Sequence, residues 1–202
     1  MIRRLALLSL SLVMLVTTGC TSEPDAAPSS RQEAAASRPS PFEDCAALTG
    51  GPAGPGDPVA AADLLPELTL TCFTGGAPVA LRDVAGPAVI NIWASWCGPC
   101  RKELPAFQRL SQRSEGQLRV IGVNTRDTRE AAQSIGEDFG IRFPMIFDQG
   151  EALQRALRRN AFPLTIFVAA DGRIRHIDTS GALDDARLAE LVRRHLDITV
   201  PA

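Results

Sequence analysis

Cys97 and Cys100, separated only by Gly98 and Pro99, are the side chains of this 202-residue chain whose type and spacing speak most directly of chemistry. Two thiols three residues apart can bind a metal, form a structural bridge, attach a haem or run a reversible dithiol/disulfide couple. A structural zinc site needs a second ligand pair, and neither Cys45, Cys72, His176 nor His195 stands at finger-like spacing. A c-type haem needs histidine directly after the second cysteine, where this chain has Arg101. Structural and redox roles both remain. If a helix starts at the pair, its free N–H groups and macrodipole favour a thiolate at the leading position, which makes Cys97 the better nucleophile. Gly98 is expected to let the backbone turn, and Pro99, with no N–H and a helical φ, suits a first turn. Cys100 then lies one turn deeper, within reach of a mixed disulfide formed at Cys97.

The elements that would hold such a pair are legible as changes of period. Ala88 to Trp93 is a nearly continuous apolar run, as in a strand buried on both faces. Past Cys100, Leu104, Phe107 and Leu110 recur at helical spacing, so the period switches from strand to helix across the cysteines. Before them, Leu68–Phe73 and Val79–Leu81 flank a Gly75-Gly76 turn. After them, Leu118–Val123 reads as a buried strand. Asp127 with Glu130 reads as a capping box opening a helix with Ala131, Ala132, Ile135 and Phe139 on one face and Gly140 as its stop. Phe143–Phe147 reads as a strand and Glu151–Arg159 as a short helix. Leu164–Ala169 and Arg173–Asp178 flank Asp171-Gly172, a hairpin signal, and a last helix points Leu188, Leu191, Val192 and Leu196 inward. This order predicts an α/β domain with a mixed sheet and helices on both faces.

A formal net charge of -2 with interspersed signs offers no footprint for nucleic acid. Residues 1–20 combine Arg3 and Arg4 with an apolar run too short to span a bilayer, and read as an export signal. The run ends at Cys20, in an arrangement similar to a bacterial lipobox although Thr17 and Thr18 depart from its pattern. Cys20 is therefore the expected lipidation site. Residues 21–58, rich in Ala, Pro, Ser and Gly, read as a tether, and 59–202 as the folded domain. Five cysteines are an odd number. With Cys20 given to lipid and Cys97/Cys100 paired, Cys45 and Cys72 remain, and an exported chain favours a structural disulfide between them over two free thiols.

The segment WASWCGPCRKELP resembles the active site of the thioredoxin superfamily, and within it the TlpA/ResA-like membrane-attached thiol-disulfide oxidoreductases, over roughly Leu64 to Leu196. The resemblance implies a thioredoxin-like three-layer fold with an inserted helix-strand element, Cys97 as attacking and Cys100 as resolving thiol. Trp93 and Trp96 would flank the site, Pro105 would lie inside the active-site helix, and Pro163 would be a cis-proline facing the sulfurs. Trp96, Gly98, Pro99, Phe162 and Pro163 would meet the substrate. Many thioredoxins have a buried acid six residues before the first cysteine, but here Asn91 stands there. Glu103 instead occupies the position of a glutamate proposed in TlpA/ResA-like proteins to deprotonate or orient the thiols. Phe162, in AFPLT, departs from the small or aliphatic residue usual before the cis-proline, which serves either specificity or packing.

No cofactor or metal is implied. The expected partners are disulfide-containing exported proteins and a membrane-embedded thiol-disulfide donor or acceptor, with the protein held outside the cytoplasm on the bacterial membrane by the lipid at Cys20. Reduction of client disulfides, apocytochrome c among them, is the direction the resemblance favours, and Gly-Pro between the cysteines matches thioredoxin, with a potential of about -270 mV. An oxidant of newly exported proteins and a thiol-based metallochaperone are the alternatives.

Overall fold

A computed structural model describes residues 38–49, 63–114 and 116–201. The signal peptide over 1–20 with Cys20, and tether residues 21–37 and 50–58, lie outside the described residues. The elements are β1 (Thr69–Cys72), β2 (Val79–Ala80), β3 (Ala88–Trp93), α1 (Gly98–Arg113), β4 (Arg119–Thr125), α2 (Arg129–Asp138), β5 (Met145–Asp148), α3 (Ala152–Ala156), β6 (Leu164–Val168), β7 (Ile174–Asp178) and α4 (Asp185–Leu196). They build one sheet in the order β2-β1-β5-β4-β3-β6-β7. β3, β4 and β5 are parallel, and the remaining pairs are antiparallel.

All six residues of β3 are buried, because the strand is covered on both faces. Val89 and Trp93 pack into a core with Leu104, Phe107 and Leu110 of α1, Ala132 of α2, and Leu188, Leu191 and Val192 of α4. Ile90 and Ile92 point the other way, into a second core with Leu153 of α3, Leu48, Leu65 and Leu81. The mixed sheet with helices on both faces is therefore the thioredoxin-like architecture expected.

Two local readings are corrected. The cap of α2 is Thr128, whose hydroxyl accepts from Ala131 N at 3.2 Å, and Asp127 is engaged elsewhere. Phe139 lies past the last helical residue and is exposed, while Gln133 and Gly136 take the buried face. Gly140 follows with φ 64°, the left-handed stop that glycine adopts without steric cost. The short helix α3 is trimmed at both ends because Glu151 and Arg158 adopt left-handed φ values of 58° and 53°.

Part of the expected tether belongs to the compact unit, which starts at Pro39. Phe42 meets Phe73 edge-on at 4.8 Å and is buried against α2, where a Cβ on Gly136 would come within 2.6 Å of its ring. Gln133 Nε2 donates to Pro39 O, and Glu43 N to Arg142 O. Cys45 and Cys72 form a disulfide with Cα atoms 5.9 Å apart, fastening this strap to β1. Truncating Phe42→Ala is expected to cost about 3 kcal/mol, the usual range for a buried aromatic. Replacing both Cys45 and Cys72 by alanine should cost about 3–4 kcal/mol from the loop they close. Urea denaturation checks both, and midpoints matching the parent would show that the strap is not part of the cooperative unit.

Candidate active site

The end of β3 delivers the chain to the start of α1, and Cys97 is the cap of that helix. Its backbone is extended (φ -80°, ψ 102°), and its Sγ accepts from Cys100 N at 3.2 Å. A free helix N–H thus points at this sulfur, an arrangement that stabilises the thiolate over the thiol. Cys97 and Cys100 are joined by a disulfide, their Cα atoms 5.3 Å apart. Cys97 is 5% exposed and Cys100 0%, so the leading sulfur is the one nearer solvent. Pro99 occupies the first turn, and Pro105 lies inside α1, where it cannot donate to the carbonyl one turn back. Gly98 corrects the sequence reading: nothing lies within 4 Å of a Cβ built there and its φ is not left-handed, so the turn does not require glycine. What glycine leaves is open space beside the sulfur.

The loop before Cys97 is held by the very residue that the capping-box pattern assigns to α2. Asp127 accepts from Ser95 N at 2.5 Å, Ser95 Oγ at 2.6 Å and Asn124 Nδ2 at 2.9 Å. One carboxylate thereby ties the end of β4 to the approach of the cysteines. No local pattern marks Asp127 for this role, because Ser95 lies on the far side of α1 and β4 in the chain.

Beneath the cysteines, Glu103 follows Cys100 at the spacing that puts both on one face of α1. The Glu103 side chain is fully buried. Its Oε1 accepts from Asn91 Nδ2 at 2.6 Å and its Oε2 from Leu183 N at 3.0 Å. Burial pushes its carboxyl up from 4.5 to about 7, against the opposing pull of those two bonds and with the help of the Asp178 charge, as desolvation does to any carboxylate. Asn91, Thr165 and Asp178 pair in register across β3, β6 and β7, so they share the face beneath α1. Asp178 is itself buried, which pushes its carboxyl up, but bonds from Ser180 N and Oγ and from His176 outweigh this and hold it below its ordinary value. Asn91 Oδ1 has no hydrogen-bond partner among the described residues. Turning that amide over would present an acceptor to a protonated Glu103, so Asn91 can serve either protonation state.

Around the sulfur, Trp96 is 54% exposed, and its Nε1 donates to Arg126 O at 2.8 Å. The Phe162–Pro163 peptide is cis. Phe162 is half-buried and meets Trp96 edge-on at 5.1 Å, so it belongs to the rim of the site. The Arg126 guanidinium lies 5.5 Å from the Trp96 ring centre and 5.9 Å from that of Phe162. Both rings are within cation–π range of it. No sequence pattern marks Arg126, Asp127 or Asp178 as belonging to the site.

A disulfide between a helix-capping sulfur close to the surface and a fully buried one, at the edge of a mixed sheet covered by helices on both faces, defines a thioredoxin-fold thiol-disulfide oxidoreductase. The Redoxin family matches residues 60–191, and the chain belongs to that family. Thiol-disulfide oxidoreductase ResA of Geobacillus kaustophilus is 27% identical over 145 residues, covering 71% of this chain and 80% of that protein. The crystal structure of a DsbF homologue from Corynebacterium diphtheriae is 25% identical with a TM-score of 0.57, covering 65% of this chain and 85% of that one. A secreted Mycobacterium tuberculosis disulfide oxidoreductase homologous to E. coli DsbE shares the fold at 23% identity and a TM-score of 0.57, covering 63% and 96% of the two chains.

The raised Glu103 carboxyl has a signature in stability. Unfolded, the group releases its proton near 4.5, whereas folded it does so near 7. Between those values the folded chain binds the extra proton, so this contribution is fully present below about 4.5 and is lost as pH rises through about 7. Glu103→Gln does not titrate. The difference between parent and variant urea-stability profiles in the oxidised protein should therefore change by on the order of 3 kcal/mol across that window. Parallel profiles would mean that Glu103 titrates like a surface glutamate.

Proposed function

We propose that this protein reduces disulfides of exported client proteins outside the cytoplasm, through Cys97 and Cys100. The observation that carries the reading is the Cys97–Cys100 disulfide at the start of α1, with Cys97 Sγ facing Cys100 N and the buried Glu103 one turn below. In the dithiol form, the Cys97 thiolate attacks a client disulfide and forms a mixed disulfide, expelling one client sulfur as thiolate. The Cys100 thiol passes its proton to the Glu103 carboxylate and attacks Cys97 Sγ, expelling the second client sulfur. The client gains two electrons and the Cys97–Cys100 disulfide is restored. A carboxyl titrating near 7 is close to half ionised at neutral pH, which suits this transfer.

Trp96, Gly98, Pro99, Phe162 and Pro163 form the surface that the client meets. A membrane-embedded dithiol protein returns the electrons, and apocytochrome c, whose haem-attachment cysteines must be reduced, is a fitting client. The export signal over 1–20 and acylation at Cys20 would hold the domain at the bacterial membrane, with 21–38 as the tether preceding the strap. The secreted M. tuberculosis protein of the same fold agrees with an extracytoplasmic setting.

Insulin reduction and mixed-disulfide capture test the chemistry. Cys97→Ser should abolish turnover, Cys100→Ser should accumulate covalent client complexes, and Glu103→Gln should slow turnover about a hundredfold and flatten its dependence on pH near 7. An alkylation-inert Cys97 in the reduced protein would overturn the thiol-exchange mechanism, and tight stoichiometric Cu(I) retention without turnover would point to metal carriage instead. In cells, a pair found mostly as disulfide would identify an oxidant instead of a reductant.

A further inference from the structure

Beside the rim of the site lies a hollow of about 440 Å³ lined by Arg126, Glu151, Gln154, Arg155, Arg158 and Arg159. Four guanidinium groups therefore surround it against a single carboxylate, in a chain whose net charge is negative. Glu151 is paired with Arg126 at 3.2 Å. Arg155, Arg158 and Arg159 are exposed and make no ion pair with a carboxylate among the described residues. The hollow shares Arg126 with the Trp96 and Phe162 rings, so it continues the rim next to Cys97.

Two further features fix the shape of its wall. Gln154 is 2% exposed, and its Nε2 donates to Ala161 O at 2.9 Å, two residues before cis-Pro163. The same side chain leaves Oε1 buried without a hydrogen-bond partner among the described residues, an acceptor that a shift of the side chain towards the hollow would offer to a donor. In addition, Arg126, Glu151 and Arg158 have φ values of 53°, 58° and 53°. They are three of the four non-glycine residues with left-handed backbone among the described residues. Those at Glu151 and Arg158 close the two ends of α3, so the turns of the chain there set the arginines around the hollow.

We infer that this hollow binds an acidic side chain of the client polypeptide, flanking the cysteine that Cys97 attacks, and so selects clients by charge. The inference rests on the reading of Cys97 as the attacking thiol and names a property of the substrate it takes. Guanidinium forks match carboxylates bidentately, and a cationic funnel beside the sulfur raises the encounter rate of anionic partners. An anionic membrane is the rival occupant of the same cations. Seated there, a bilayer would cover the approach to Cys97, whereas a client carboxylate brings its own disulfide to it.

The experiment uses two model cystine peptides that differ only in having two glutamates or two lysines beside the disulfide, together with redox-inert serine analogues. The reduced parent should react with the glutamate peptide about tenfold faster than with the lysine peptide at low salt, and the ratio should fall towards unity at high salt. The double variant Arg155→Glu/Arg159→Glu should invert the preference, a ratio internal to each protein and so insensitive to partial loss of activity. Equal ratios in parent and variant, or a parent ratio indifferent to salt, overturn the inference. Vesicles of phosphatidylglycerol that retain the parent but not the variant, with unchanged peptide ratios, assign the arginines to the membrane and overturn it too. If neither cystine peptide reacts while Trp96 fluorescence reports tighter binding of the glutamate serine analogue, the charge selectivity stands and the attacking role of Cys97 falls.

Discussion

One sulfur must lie against the open N–H groups of a helix while its partner is kept from water, and the rest of the domain follows from that demand. A helix can offer its N-terminus at the rim of a protein only if something rigid delivers the chain there. β3, buried on both faces and paired with β4 and β6, is that support. α1 is in turn pinned along its length by Leu104, Phe107 and Leu110 in the core it shares with α4. The position of Cys97 is thus set by packing across several elements, and its own side chain adds the cap to Cys100 N and the disulfide to Cys100 Sγ.

The same core accepts an ionisable group that hydrophobic burial alone would exclude. An unpaired buried carboxylate is costly, and cores tolerate one only when its oxygens are satisfied or a proton neutralises it. Glu103 has both remedies: donors from Asn91 and Leu183 for the ionised form, and an amide able to turn its oxygen towards the acid. Asp178, held ionised by Ser180, tilts the balance towards the protonated form. The same neighbours can thus accommodate either protonation state of this group.

What sequence reading reaches is whatever local pattern encodes. The switch of period across Cys97 marks β3 and α1, Asp171-Gly172 marks the β6–β7 hairpin, and counting cysteines pairs Cys45 with Cys72. Asp127 defeats the same approach. Its position three residues before Glu130 matches a capping box, yet its carboxylate is spent on Ser95, across a gap that no window of sequence spans. Periodicity places Phe139 inside, whereas the helix has already ended before it. Arg126 carries no motif at all: its place over Trp96 and Phe162 arises because the end of β4 and the approach to β6 flank β3 at the same edge of the sheet. Polar contacts between elements distant in the chain are what stays hidden.

The strap carries a consequence of a different kind. A molecule that trades sulfur–sulfur bonds with others also contains a bond of its own that must never enter the trade. Cys45 and Cys72 lie in the core on the far side of the sheet from α1, at 3% and 0% exposure against 5% and 0% for Cys97 and Cys100, so accessible area alone does not separate the two bonds. The difference lies in what surrounds the leading sulfur: Cys97 Sγ accepts from a helix N–H beside the exposed Trp96, whereas Cys45, at the start of a short 3-10 turn, caps nothing with its side chain. One small domain can then carry an inert bridge and a labile one without the second consuming the first.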